Sequence, residues 1–422
     1  MLFTLKCDIF ILKCNNFGGI YMEIPAFLDR DDYLQNPIMR KFLKNRGLKF
    51  QTTRADYINA IKQYADTDEK CEKDVRQWLL KVAKEGSKDF CYKRIKRITS
   101  EQCDPIIIEE KIKRKYPNCP MLNILEYKNT HNRELIEYNI IKDDSGAAIK
   151  LEFTYSKLML CGEVNQEGIN TVFPVFIEVY LDNGLIVSRA KAKSTIFRHD
   201  GDSNKLLLDN KVNAMEYAVA AIDDVIGMLG YDVEQDSKIV KKENYEMFYR
   251  IYSQFSFTPE EVVRKVERMR QYNKQYIDLI FEDLKLDVRN KQKALEDMDT
   301  IVEKYISIDG RNEDIFKKDR DAYLIKVGSD NELELTKIYT LSQRMVPLQC
   351  TSAFFDSKNA IIRSKQCTKL NLVYKRKDDT YLKNKPIVVQ FGTTKNFGFF
   401  KTLQYAEEED IQYVLQTIYT NY

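Results

Sequence analysis

The chain has 422 residues, 44% hydrophobic and 31% charged, with 15 glycines and 9 prolines; this excludes a disordered or low-complexity polypeptide and leaves room for two or three folded domains. A formal net charge of +3 is too small to demand a polyanionic partner on global grounds, so any such reading must come from local clusters. Nine cysteines, none spaced as CxxC, read as free thiols of a reducing, cytoplasmic compartment, and two histidines leave few parts for a zinc site or a histidine-based triad.

Residues 1–31 form an N-terminal extension. Its apolar stretch, Ile9 to Leu12, is bounded by Lys6, Asp8 and Lys13, too short to span a membrane and without a signal-peptide cleavage site. The run Gly18-Gly19-Ile20-Tyr21-Met22 is what an in-frame ribosome-binding site and start codon look like when translated, so Met22 is the expected start of a bacterial protein. N-terminal mass spectrometry of the native protein that recovered peptides from residues 1–21 would contradict this.

Residues 32–66 read as a small two-helix module. Pro37 sits near a first-turn position, where its missing N–H costs nothing, and Ile38, Met39, Phe42 and Leu43 recur at helical spacing before Gly47 stops the helix. Thr53 can cap a second helix with Asp56 three residues on, and Tyr57, Ile58, Ile61 and Tyr64 give that helix one apolar face. From residue 38 to residue 62, Arg40, Lys41, Lys44, Arg46, Lys49, Arg54 and Lys62 face a single carboxylate, Asp56, a local charge of +6. Cations beside a helix start attract phosphates, whose contacts position a protein on DNA without reading its sequence. The same charges could instead be the solvated face of a module that contacts protein.

The helix ending Leu43-Lys44-Asn45-Arg46-Gly47-Leu48, followed by Thr53-Arg54-Ala55-Asp56-Tyr57-Ile58, resembles the SAP family of helix-extended-helix DNA-binding domains. The likeness covers about 35 residues, with Thr52-Thr53-Arg54 where the family typically carries Gly-Lys. It implies DNA binding through Lys49, Gln51, Thr52, Thr53 and Arg54, to which the charge pattern adds Arg40, Lys44 and Arg46.

Residues 67–120 read as a basic helical region and linker. An amphipathic helix over 69–84 places Val75, Trp78, Leu79 and Val82 on one side, with Gly86 as its stop. Two basic runs follow, Lys93-Arg94-Ile95-Lys96-Arg97 and Lys111-Ile112-Lys113-Arg114-Lys115; they form either a second nucleic-acid surface or a solvated face balanced by Glu101, Asp104, Glu109 and Glu110. Pro117 and Pro120 mark the linker.

Residues 121–310 read as an α+β domain with a helical hairpin. Ile149, Leu151, Phe153 and Tyr155 alternate as in a strand, and the apolar run Val172 to Leu181 meets Leu185 to Phe197 through the turn Asp182-Asn183-Gly184. On the last strand Arg189, Lys191 and Lys193 share a face expected to look outward, while Ser188, Ala190 and Ala192 face the apolar helix Val212 to Met228, with Ala218, Ala220 and Ala221 allowing close approach. Residues 258–306 read as two long helices opened by a Thr258-Pro259-Glu260-Glu261 capping box, available for core packing, self-association or a protein partner. Residues 311–422 read as a β-rich domain, with strands at Ala322 to Val327, Leu370 to Tyr374 and Pro386 to Phe391 and a closing helix, Ile411 to Tyr419.

Chemistry is scarce. There is no P-loop, GxSxG or HExxH, and Phe391-Gly392-Thr393-Thr394-Lys395 reads as a turn. A metal-dependent nuclease would need converging carboxylates and a lysine, for which Asp104, Glu109 and Lys111, or Glu178 and Asp182, are the candidates; Glu126-Tyr127-Lys128 and Glu334 to Lys337 match less well. The expectation is therefore an α+β protein, a small module ahead of a mixed body with antiparallel sheet and long helices. It acts as a DNA-binding, non-enzymatic recruitment or adaptor protein without cofactor, metal or membrane. The alternatives are a diverged nuclease and an assembly protein whose module binds protein.

Overall fold

The computed structural model describes residues 22–29, 33–127, 132–192, 196–199, 204–331, 336–341, 345–376 and 385–422. The expectations placed on residues 1–21, Lys128, Lys193 and Glu334 lie outside them. The chain forms two compact units, one up to Leu79 and the other from Leu80.

In the first unit, α1 (Asn36–Asn45) has Pro37 in its first turn and buries Ile38, Met39, Phe42 and Leu43. Gly47 ends it at φ 68, a left-handed conformation that costs glycine little. After a short extended connection comes α2 (Arg54–Ala65), which buries Tyr57, Ile61 and Ala65. Two short helices bury too little to stand alone, and the next helix completes their core. This helix, α3 (Glu69–Lys84), starts in the first unit and runs into the second. Its Val75 is fully buried, and its Trp78 ring lies 4.2 Å from that of Phe42. The module thus extends past residue 66 because α3 supplies the cover that the apolar face of α1 requires.

The second unit opens, after Gly86, with β1 (Lys88–Arg94) and α4 (Pro105–Lys115). There follow β2 (Glu134–Lys142), β3 (Ala148–Ser156), β4 (Leu158–Cys161), β5 (Ile169–Val172), β6 (Val175–Tyr180), β7 (Leu185–Lys191), β8 (Ile196–Phe197) and β9 (Lys211–Val212). Helices α5 (Ala214–Leu229), α6 (Ser237–Phe255), α7 (Glu260–Asp283), α8 (Lys291–Ile308) and the short α9 (Glu313–Lys317) come next. The chain continues through β10 (Ala322–Asn331), β11 (Thr336–Leu341), α10 (Ser352–Ser364), β12 (Lys369–Tyr374), β13 (Ile387–Thr393), β14 (Gly398–Thr402) and α11 (Glu408–Asn421).

Ten of these strands form one antiparallel sheet in the order β11-β10-β12-β13-β14-β1-β7-β6-β3-β2, and β5-β4-β8-β9 form a smaller one. The fold is α+β. Strand β1 joins the two halves of the large sheet, pairing with β14 on one side and β7 on the other. The boundaries expected at 120/121 and 310/311 therefore give way to a single unit, because strands from residues 88–94, 134–191 and 322–402 share one set of backbone hydrogen bonds.

Helices cover both faces of the sheet, so its inner strands are buried on both sides, an arrangement that blurs the alternation of an open antiparallel sheet. Cys91, Ile186, Ala190, Val175, Ile177 and Val179 join a cluster with α4 and α5, whereas Phe90, Tyr92, Leu185 and Val187 join another with α6, α10 and α11. The small face of β7 meets α5 as expected, through Ala214, Ala218 and Ala221, whereas Ala220 turns to solvent. The turn Asp182-Asn183-Gly184 closes the β6–β7 hairpin with Tyr180 opposite Leu185. Residues Thr394 to Phe397 make the β13–β14 turn, where Thr394 N–H donates to the Phe397 carbonyl at 2.9 Å. The N-cap of α7 is Pro259, not Thr258, whose hydroxyl instead donates to Glu303 at 2.6 Å.

Candidate nucleic-acid interface

In the module, Thr53 and Asp56 form the expected capping box on α2: Thr53 Oγ1 accepts from Asp56 N–H at 3.2 Å, and Asp56 Oδ2 accepts from Thr53 N–H at 3.3 Å. The helix start is thereby fixed in direction, but part of its positive end is already satisfied by Asp56.

The predicted cations divide into two groups. Arg40 Nε donates to the Tyr57 hydroxyl at 2.9 Å, tying α1 to α2. Arg46 grips Asp74 on α3 with two bonds of 2.5 and 2.6 Å, while its guanidinium stacks 3.6 Å above the Phe42 ring. That bidentate hydrogen bond holds the Asp74 carboxyl below its ordinary range despite the opposing effect of burial. Arg54 donates to the carbonyls of Leu34 and Asp29, with the Asp29 carboxylate 3.6 Å away. These three arginines hold the module together. Lys44, Lys49, Thr52 and Thr53 are exposed, Gln51 is half-exposed, and neither Lys44 nor Lys49 has an ion-pair partner among the described residues. Between them Phe50 stands 60% exposed. The surface offered to an anion is therefore the end of α1 and the loop into α2.

Much of the second basic surface is knitted into the body. Lys93 pairs with Asp223 at 2.6 Å, and Lys96 with Glu234 at 3.2 Å. On α4, Lys113 pairs with Glu109 at 2.6 Å and Lys115 with Asp224 at 2.7 Å, while Lys111 Nζ donates to the Leu229 carbonyl at 3.1 Å. The last two anchor α4 to α5, where Lys111 neutralises the negative helix end. Arg94, Arg97 and Arg114 are exposed and have no ion-pair partner among the described residues. Arg94 lies 4.8 Å from the Tyr422 ring, and both line a cleft of about 250 Å³ together with Lys93, Lys96, Glu234 and Glu243.

The cationic row of β7 departs from expectation. Arg189 is 1% exposed and Lys191 3%, facing inward rather than outward. Arg189 donates to Glu178 on β6 at 2.5 Å and to Glu408 on α11 at 2.6 Å, and Lys150 on β3 reaches Glu178 at 2.7 Å. Burial pushes the Glu178 carboxyl up, but Arg189 and Lys150 overcome it and hold it at about 2. Period-2 spacing identified the shared face, yet only the carboxylate delivered by α11 shows that it is covered.

The nuclease candidates do not converge. Asp104 caps α4 by accepting from Ile106 N–H at 2.8 Å, Glu109 holds Lys113, and Lys111 is bound to the end of α5. Glu178 is neutralised by two cations, while Asp182 lies in the exposed hairpin turn. Among the described residues, no group of three or more His, Cys, Asp or Glu side chains is arranged to hold a metal ion. No helix of these residues is long and apolar enough to cross a membrane.

Sequence reasoning missed β1, whose Lys-Asp-Phe-Cys-Tyr-Lys-Arg composition reads as a basic run although it occupies the sheet centre. Lys88 is buried with its ammonium on the Ala83 carbonyl at 2.7 Å, and Asp89 pairs with Lys401 at 3.2 Å. The available signal was Phe90-Cys91-Tyr92, a short apolar core between the charges. Comparison with family models, curated proteins and solved structures returns no match for this chain, so its functional reading rests on its own residues.

Proposed function

We propose that the protein is a cytoplasmic, non-enzymatic DNA-binding recruitment or adaptor protein whose SAP-like module contacts the phosphate backbone through Lys44, Lys49, Gln51 and Thr52, with Thr53 fixing the start of α2 behind them. The observation that carries this reading is the division of labour among the module's cations. Arg40, Arg46 and Arg54 are spent on internal partners, while Lys44 and Lys49 stay exposed and without an ion-pair partner among the described residues. Lysines on a rigid scaffold beside a helix start suit phosphate contacts, which give salt-sensitive affinity without base readout. The free cysteines of the described residues accord with a reducing compartment.

A fluorescence-anisotropy titration of a labelled duplex tests it. The wild-type protein should bind at low salt, and Lys44→Ala/Lys49→Ala should bind at least about tenfold more weakly. Absence of wild-type binding at low salt would leave a protein-contact module. Divalent-metal-dependent cleavage of plasmid would contradict the non-enzymatic half of the reading.

A further inference from the structure

Helices α7 and α8 pair through Ile277 and Phe281, buried on α7, and through Asn273 Nδ2, which donates to Asp299 at 2.8 Å. Arg270 faces Asp299 at 3.4 Å, and Lys291 meets Asp278 at 2.7 Å. The inner side of the hairpin is thus occupied. A different side of α7 presents Met269, Tyr272, Tyr276 and Leu279, exposed by 42, 62, 57 and 66%. Their spacing alternates three and four residues, the a/d seam of a coiled coil. Apolar residues exposed in such a row mark a surface that another helix covers.

The charges beside the row say which helix. In that heptad, Arg268 and Glu282 occupy the same flanking g position two heptads apart, at opposite ends of the seam, and neither has an ion-pair partner among the described residues. From Arg268 onward the charges run from basic Arg268, Arg270 and Lys274 to acidic Asp278, Glu282 and Asp283, while Glu260, Glu261 and Glu267 lie ahead of the seam. A two-fold axis between Tyr272 and Tyr276 would set Met269 of one copy against Leu279 of the other and Tyr272 against Tyr276. The same axis brings Arg268 opposite Glu282 twice. A contact that satisfies itself under a two-fold rotation is isologous and closes as a dimer.

We propose that the α7 face is a self-association surface on which a second copy of this chain docks antiparallel through the row Met269, Tyr272, Tyr276 and Leu279, registered by reciprocal Arg268–Glu282 pairs. The inference is independent of DNA binding and concerns different residues.

Sedimentation equilibrium of the full chain tests it. The wild-type protein should be dimeric at low micromolar concentration, and Tyr272→Ser/Leu279→Ser should be monomeric with an unchanged far-UV spectrum, since both side chains already face solvent. Arg268→Glu and Glu282→Arg should each raise the dimer Kd by about tenfold, and the double variant R268E/E282R should restore it to within about threefold, because the swap rebuilds both pairs. A wild-type protein still monomeric at about 100 μM would overturn the proposal. So would single variants that weaken association without rescue by the swap, which would mean contact with a different surface.

Discussion

The loop ahead of α2 and the strand β7 carry the same kind of side chain and use it in opposite ways. On β7, Arg189 and Lys191 are both buried, and the Arg189 guanidinium is neutralised by Glu178 on β6 and Glu408 on α11. In the loop region, Lys44 and Lys49 remain in water while the neighbouring arginines take the internal partners. A cationic cluster therefore has no fixed meaning until its partners are known. Arginine, planar and multiply donating, is used at both places where two or three fixed acceptors converge, whereas the lysines of the loop region stay in water.

That contrast breaks most visibly at Arg189. Replacing it with methionine leaves Glu408 without its cation and Glu178 with Lys150 alone, and we expect about 3 kcal/mol of lost stability in the second unit, read by far-UV circular dichroism in denaturant. A loss under about 1 kcal/mol would mean that the network is open to water.

The pH response separates two buried carboxyls of that unit. Glu178, depressed to about 2, contributes stability that is present above the ordinary carboxyl value of 4.5 and lost as pH falls from there toward 2. Glu85 has the opposite sign. Burial pushes it up to about 7, although it accepts from Glu408 N–H at 2.9 Å and from the Tyr405 hydroxyl at 3.1 Å. Because the folded state holds that proton more tightly than the unfolded one, stability should decline as pH rises from about 4.5 to about 7. Glu85→Gln should flatten the decline in Tm between pH 5 and 8, and an unchanged slope would assign it to another group.

In the first unit, Arg46→Ala should cost about 1 kcal/mol, discounted for the partial exposure of its Asp74 partner. The single tryptophan makes this readable: Trp78 packs on Phe42, over which Arg46 stacks, so its fluorescence reports unfolding of that unit. The smallest effect is expected for Lys44→Ala/Lys49→Ala, which should leave the same transition within about 0.5 kcal/mol. A larger shift would place these lysines among the structural cations.

Local signals were legible in the sequence. Pro37, Gly47, the Thr53–Asp56 capping box and the Asp182-Asn183-Gly184 turn depend on residues a few positions apart, and each forms as read. One local signal failed, since Pro259 and not Thr258 is the N-cap of α7, and the other failures are long-range. Strand β1 is central only because residues 185–191 and 398–402 pair with it, and Arg189 is buried only because Glu408 arrives more than two hundred residues later. The module's cations were visible as a cluster, but their division was not. Arg46 and Arg54 turn inward because Asp74 and the Leu34 carbonyl are placed by tertiary packing that no spacing announces.

The salt dependence of duplex binding tests the central claim most directly: the exposed lysines, and not the inward-turned arginines, meet the phosphates. The slope of log affinity against log salt should become shallower by about 2 in Lys44→Ala/Lys49→Ala, one released counterion for each lost contact. An unchanged slope in that variant, with affinity intact, would contradict the account and leave the loop without a role in DNA binding.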